Sequence, residues 1–152
     1  MKRFFILLTA SFFVAANIHA QTPEDSVKAV INQLFDAMRN IDGAKLKDAF
    51  ADSAILQTIS RTKEGGFRVV NEPVEKFVNS ISRLPKDSAD ERINFGSILI
   101  DGPLASVWTP YKFYYAGKFS HCGANSFQLV RINGLWKIQY LIDTRRRLGC
   151  EN

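Results

Sequence analysis

Asn125-Ser126-Phe127-Gln128-Leu129-Val130-Arg131 alternates polar and apolar side chains, pauses at Ile132-Asn133-Gly134, and resumes through Leu135-Trp136-Lys137-Ile138. A period of two marks a strand with one covered face, and Asn-Gly between two such runs marks a tight hairpin. Asp101-Gly102 and Ala116-Gly117 repeat the turn signal upstream, dividing the chain from Ile93 onward into four strand-like runs. Taking each pair as a two-residue loop sets Phe95 opposite Trp108, Tyr114 opposite Phe119, Phe127 opposite Tyr140, and Leu129 opposite Ile138. All of these share one face with Ile93, Leu99, Leu104, Trp136 and Ile142. Three separate turns giving one apolar face is the agreement between levels that a real sheet shows. Pro103, just after the first turn, can shift that register locally. The other face carries Thr109, Ser120, Ser126, Gln128, Lys137, Gln139 and Asp143, but also Tyr111, Phe113 and Tyr115. Such a mixed surface suits a second copy of the chain.

The segment before the strands reads as helical. Thr22 can cap a helix with Pro23 in its first turn, and Glu24 and Asp25 complement its dipole. Val27, Val30, Ile31, Leu34, Phe35 and Met38 then recur on one helical face until Asp42-Gly43. A short second helix carries Leu46, Ala49 and Phe50 inward. Ala54 to Thr62 reads as a strand, Lys63-Glu64-Gly65-Gly66 as a turn, and Phe67 to Val70 as its partner. Asn71 is a candidate cap for a helix bearing Val74, Phe77, Val78, Ile81 and Leu84, which Pro85 stops. Lys86 to Glu91 is polar and reads as a loop. Helices followed by a long meander give an α+β class, the sheet packing its apolar face on the helices.

Residues 1–20 read as a signal peptide. Lys2 and Arg3 precede the apolar run Phe4 to Ala16, and Ile18-His19-Ala20 places a small residue before cleavage at Gln21. The run is shorter than the roughly 18 residues a membrane-spanning helix needs. The expectation is a periplasmic or secreted single domain, residues 21–152, with no lipid anchor and no membrane contact after removal of the signal. Without Lys2 and Arg3, 18 of the 20 basic residues face 15 acidic ones, a mild excess that gives little support to nucleic-acid binding. Arg145-Arg146-Arg147 on a strand would point to alternating faces. Cys122 and Cys150 either form a disulfide, which export would permit, or stay as separate thiols.

The long helix Val27 to Met38, the helix Val74 to Leu84, the strands from Ile93 onward and above all the hairpin Asn125 to Ile138 resemble the nuclear transport factor 2-like superfamily. The resemblance spans nearly the whole mature chain. It is similar to exported bacterial members of uncharacterised function, some labelled "putative lumazine-binding". The resemblance implies a cone-shaped α+β fold, its curved antiparallel sheet wrapped over helices around an internal pocket. It does not fix the activity, since ketosteroid isomerases, scytalone dehydratases, SnoaL-like polyketide cyclases and non-enzymatic binding modules share the fold.

On the apolar face the register places Trp108, Tyr114, Phe127 and Tyr140 as an aromatic lining, with His121 and Asn125 as its central polar pair. Lys112 joins them, and Arg131, Thr144 and Arg146 lie toward the edges. His121 with Tyr114 could serve as a general acid or base, or could simply be a structural histidine bonded to a carbonyl or to Thr144. Asp143 falls on the opposite face, where an ion pair with Arg145 explains it. A bulge between Asn125 and Asp143 would turn Asp143 inward beside His121. The residues point to no metal and no other cofactor, as the mature chain has one histidine and lacks nucleotide-binding loops and a Gly-x-Ser-x-Gly elbow. Three functions are consistent with this reading. They are a module binding a small apolar or aromatic ligand, a small lyase or isomerase using His121, and a homodimeric interaction protein.

Overall fold

The structure, a computed structural model, describes residues 22–150. The signal-peptide segment lies outside the described residues. Helix α1, Pro23–Asn40, begins with a reciprocal cap. Thr22 Oγ1 accepts from the Asp25 amide at 3.1 Å, and Asp25 accepts from the Thr22 amide at 3.3 Å. Helix α2, Gly43–Asp48, and strand β1, Phe50–Arg61, follow, and β1 turns through Gly65 into β2, Phe67–Glu72. Helix α3 spans Val74–Ile81, with Pro73 rather than Asn71 at its N-cap and no side-chain cap.

The rest is sheet: β3 Ala89–Ile93, β4 Ser97–Asp101, β5 Leu104–Tyr115, β6 Lys118–Ile132 and β7 Leu135–Thr144. One curved, open sheet runs β2-β1-β7-β6-β5-β3, and β4 shares the β5 edge with β3. All pairs are antiparallel except β1 with β7, which is parallel. The helices pack on the concave face. Phe127, Leu129, Ile138, Val107 and Ala105 from the strands meet Val27, Ile31 and Leu34 of α1 in the core. Phe35 and Phe127 meet edge-on at 6.3 Å.

Two of the expected hairpins keep their register near the turn. Tyr114 pairs with Phe119, and Leu129 with Ile138. The first does not. Its loop is Gly102-Pro103, so Trp108 pairs with Ser97 instead of Phe95, because proline cannot supply the amide that the expected pairing requires. Two bulges then reset the faces. Ser120 is an extra residue in β6, between Phe113 paired with His121 and Tyr114 paired with Phe119. Gln139 is an extra residue in β7, between Leu129 paired with Ile138 and Gln128 paired with Tyr140. Each inserted residue inverts the alternation beyond it.

The disulfide is present: Cys122 joins Cys150, 28 positions on. It ties the tail after β7 to β6, beside a backbone pair between Cys122 and Arg146. Among the described residues no helix is long and apolar enough to cross a membrane.

Candidate functional site

Between α1, α3 and the concave face lies a cavity of about 260 Å³. Its apolar walls come from Leu34, Phe35 and Met38 of α1, Phe77 and Ile81 of α3, and Leu56 and Leu141 of the sheet. Its far end is polar. There β3, β5, β6 and β7 contribute Glu91, Tyr111, His121, Asn125 and Asp143, and Arg145 follows directly after β7.

Cross-strand pairing brings these groups together. Glu91 pairs with Phe113 and Phe113 with His121; Thr109 pairs with Asn125 and Asn125 with Asp143. The Asn125 amide donates to Glu91 at 2.8 Å and to Thr109 at 3.3 Å. Asn125, Thr109 and Asp143 are buried. Asp143 accepts from Arg145 Nε at 2.8 Å, and the Tyr111 hydroxyl lies 3.2 Å from Asp143 and 2.9 Å from the Thr144 carbonyl. Gly123 makes room for that hydroxyl to reach Thr144. A Cβ there would lie 1.8 Å from the Thr144 carbonyl oxygen and 2.8 Å from the Tyr111 ring.

Burial drives the titration of the cluster. The Glu91 carboxyl is raised to about 7, mainly because the charged form loses water; the Asn125 bond offsets this in part, and Asp143 adds to it. Burial, with Asp143 and Glu91 nearby, also raises the Tyr111 phenol and keeps it protonated. Burial lowers His121, as does the Arg145 charge, so its imidazole is neutral near pH 7. Its Nδ1 meets the bulge residue Ser120 at 3.1 Å, and its ring packs on Phe113 at 5.0 Å. The site thus holds a protonatable carboxyl, a neutral imidazole and a phenol at the end of an apolar chamber.

A family model described as "Putative lumazine-binding" matches residues 22–139. The chain belongs to that family. Its fold is that of the nuclear transport factor 2-like superfamily, which the solved structures bear out. An NTF2-like protein of unknown function from Shewanella baltica OS155 superposes with a TM-score of 0.63 at 15% identity, over 81% of this chain and 93% of that one. One from Methylobacillus flagellatus KT gives 0.63 at 18% identity, over 81% and 91%. A domain of unknown function with a cystatin-like fold from Nostoc punctiforme PCC 73102 gives 0.63 at 15%, over 83% and 78%. No curated protein matches the chain.

In this family member the structure brings His121 and Asn125 to the cavity and leaves out most of their expected company. Trp108 is 47% exposed and Phe119 46%, so the face carrying Trp108, Tyr114 and Phe119 is the convex one. Lys112 pairs with Cys122, and Arg146 bridges to Cys122; both line a shallow outer groove instead. Phe127 is fully buried core, and Tyr140 turns away to donate to Gln57 at 2.6 Å. Arg131 caps the final hairpin by donating to the Gly134 carbonyl, and Thr144 accepts from the Ala124 amide.

The bulge at Ser120 is why Phe119 and His121 do not share a face. The bulge at Gln139 turns Asp143 inward, reversing the face assigned by regular pairing. Tyr111 and Phe113 likewise face the cavity, so they do not belong to an outer, partner-seeking surface. Glu91, read as loop, lies on β3, and Thr109 and Tyr111 complete the polar end. The one sequence signal for Tyr111 is Gly123, a glycine inside a strand, which marks close backbone approach.

Proposed function

We propose that this protein is an exported small-molecule-binding domain whose ligand lies in the cavity between α1, α3 and the sheet, with its polar end on Glu91, Asn125 and Tyr111. The observation that carries the reading is the shape of the chemistry: one apolar chamber ending in a single convergent polar cluster. The family's description as "Putative lumazine-binding" supports a small organic ligand. The basic and apolar leader, together with the disulfide, supports a periplasmic or secreted location. The test is a thermal-shift screen of the purified protein against small neutral, cationic and anionic aromatics, repeated on Phe113→Ala and Tyr111→Phe. Stabilisation by one chemical class, weakened in both variants, supports the reading. Equal responses in all three proteins would place any binding elsewhere.

The Glu91 carboxyl, poised near 7 in a cavity that also holds a neutral His121, favours a second reading as a small lyase or isomerase. There Glu91 and His121, two strands apart across Phe113, would each act on the substrate as acid or base, in place of the His121–Tyr114 pair. Turnover lost in both Glu91→Gln and His121→Ala, with ligand binding retained, would separate catalysis from binding. Homodimerisation remains our reading of the convex face, now resting on Trp108 and Phe119, and sedimentation equilibrium of Trp108→Glu tests it.

A further inference from the structure

The cavity is lined by three carboxylates, Glu72, Glu91 and Asp143, against one guanidinium, Arg145. Arg145 is already held by Asp143 at 2.8 Å. Glu91 makes no ion pair, feeling Arg145 only at a distance, and its hydrogen-bond partner is the neutral Asn125 amide. That amide gives its protons to Glu91 and Thr109, which leaves its carbonyl oxygen as an acceptor. On the β1 wall, Thr58 Oγ1 is buried without a partner, directly across the parallel register from Asp143. The site thus keeps a free acceptor at Asn125 and a hydroxyl at Thr58 that can donate or accept, and its carboxylates outnumber its one guanidinium.

A buried carboxylate without a counter-charge is unfavourable, and an occupant that brings one relieves the cost. Among the described residues no group of three or more His, Cys, Asp or Glu side chains could hold a metal ion. An apolar chamber behind the carboxylates favours an organic counter-charge. Phe35, Phe77, Phe113 and Tyr111 offer rings along the wall for an apolar body and for the flank of a cation.

We propose that the cavity selects a small aromatic or aliphatic ammonium ion, its N–H donors bonding the Glu91 carboxylate and the Asn125 carbonyl oxygen. This rests on the reading of the cavity as the ligand site. Pairing with an ammonium pulls Glu91 to its charged form, so binding releases a proton and strengthens as pH rises through about 7. The other titratable groups of the cavity are Glu72 on β2, Tyr111 on β5, His121 on β6, Asp143 on β7, and Arg145 just after β7. Tyr111 stays protonated through this range, and burial with the Arg145 charge holds His121 below its usual range. The helices α1 and α3 present only uncharged side chains to the cavity.

Calorimetric titration of the disulfide-bonded protein with 3-phenylpropylammonium, 4-phenyl-2-butanone and 3-phenylpropanoate at pH 6 and pH 8 tests the proposal. These probes share one body and differ in head-group charge. At pH 8 the ammonium should bind about tenfold more tightly than the ketone, the scale of one charge-assisted bond, with a smaller margin at pH 6. Glu91→Gln should erase the preference, and Glu91→Asp should keep it at lower affinity. A ketone or carboxylate that equals or exceeds the ammonium in the wild type overturns the ammonium assignment and leaves the cavity reading standing. Binding of none of the three, in wild type or Glu91→Gln, overturns both. Should Glu91→Gln fail to fold, the wild-type ranking decides alone.

Discussion

At the scale of single residues, Glu91 makes the protein's stability depend on pH. Its carboxyl titrates near 7 when folded against 4.5 as a free side chain, so the native state holds a proton that the unfolded chain has released between those values. More protons bound in the native state means that stability falls as pH rises from about 4.5 to about 7. Glu91→Gln keeps an acceptor for Asn125 and removes the titration. We expect it to match wild type near pH 4 and exceed it by about 2 kcal/mol at pH 8, after discounting for partial solvent access at the cavity. Urea melts at the two pH values read this directly, and parallel pH profiles would assign the slope to another group. Gly123 makes the opposite demand. Alanine there puts a methyl 1.8 Å from the Thr144 carbonyl, so strand β6 or the end of β7 must move. Gly123→Ala should lose at least about 2 kcal/mol by overpacking and should release the Tyr111 hydroxyl from Thr144. A melting temperature equal to wild type would show that the end of β7 yields freely.

Among the elements, the two bulges decide which side chains meet. Turn chemistry was legible: Ala116-Gly117 and Asn133-Gly134 do form two-residue loops, with Ala116 and Asn133 at positive φ. So were α1 and its cap, the inward Leu46 and Phe50, and the placement of His121 and Asn125. What could not be read was the extra residue. Ser120 and Gln139 have no composition that announces a bulge, and period-two extrapolation past either one inverts every later side chain. Trp108, Tyr114 and Tyr140 were lost to the cavity in this way, and Asp143 was gained. Glu91 escaped for another reason. Strand β3 is a short edge strand rich in charge, Asp90-Glu91-Arg92, and charge on an edge is what keeps it from pairing with other chains. Deleting Gln139 should restore regular alternation in β7 with its faces kept, Ile138 and Leu141 inward about Tyr140, because Leu141 already pairs with Phe127 and Asp143 with Asn125. We expect the near-ultraviolet dichroism and a cooperative melt to survive, with only the bonds of Gln139 to Ser53 lost. A deletion variant that loses its cooperative melt would mean that the bend the bulge gives β7 is itself needed to curve the sheet over the helices.

For the molecule as a whole, the disulfide links the sheet's centre to the chain's end. Cys122 lies on β6, on the face opposite His121, and Cys150 ends the described tail. The bridge and the Cys122–Arg146 backbone pair run the tail back along β6, which holds Arg145 beside Asp143. Closing a loop of 28 residues lowers the entropy of the unfolded chain by an amount worth about 3.5 kcal/mol. The double variant Cys122→Ser/Cys150→Ser should therefore unfold at lower guanidinium concentration, by roughly that free energy, with an unchanged core. Wild type held in a phosphine reductant should coincide with it. The loss should also reach the cavity: a tail free to leave β6 lets Arg145 move off Asp143, adding an uncompensated carboxylate to the polar end. Ammonium probes should then bind the reduced protein at least as well as the oxidised one, while anionic probes bind it less well. Stability unchanged by reduction would mean that backbone pairing alone retains the tail, and the charge balance of the cavity would then be independent of the redox state of its surroundings.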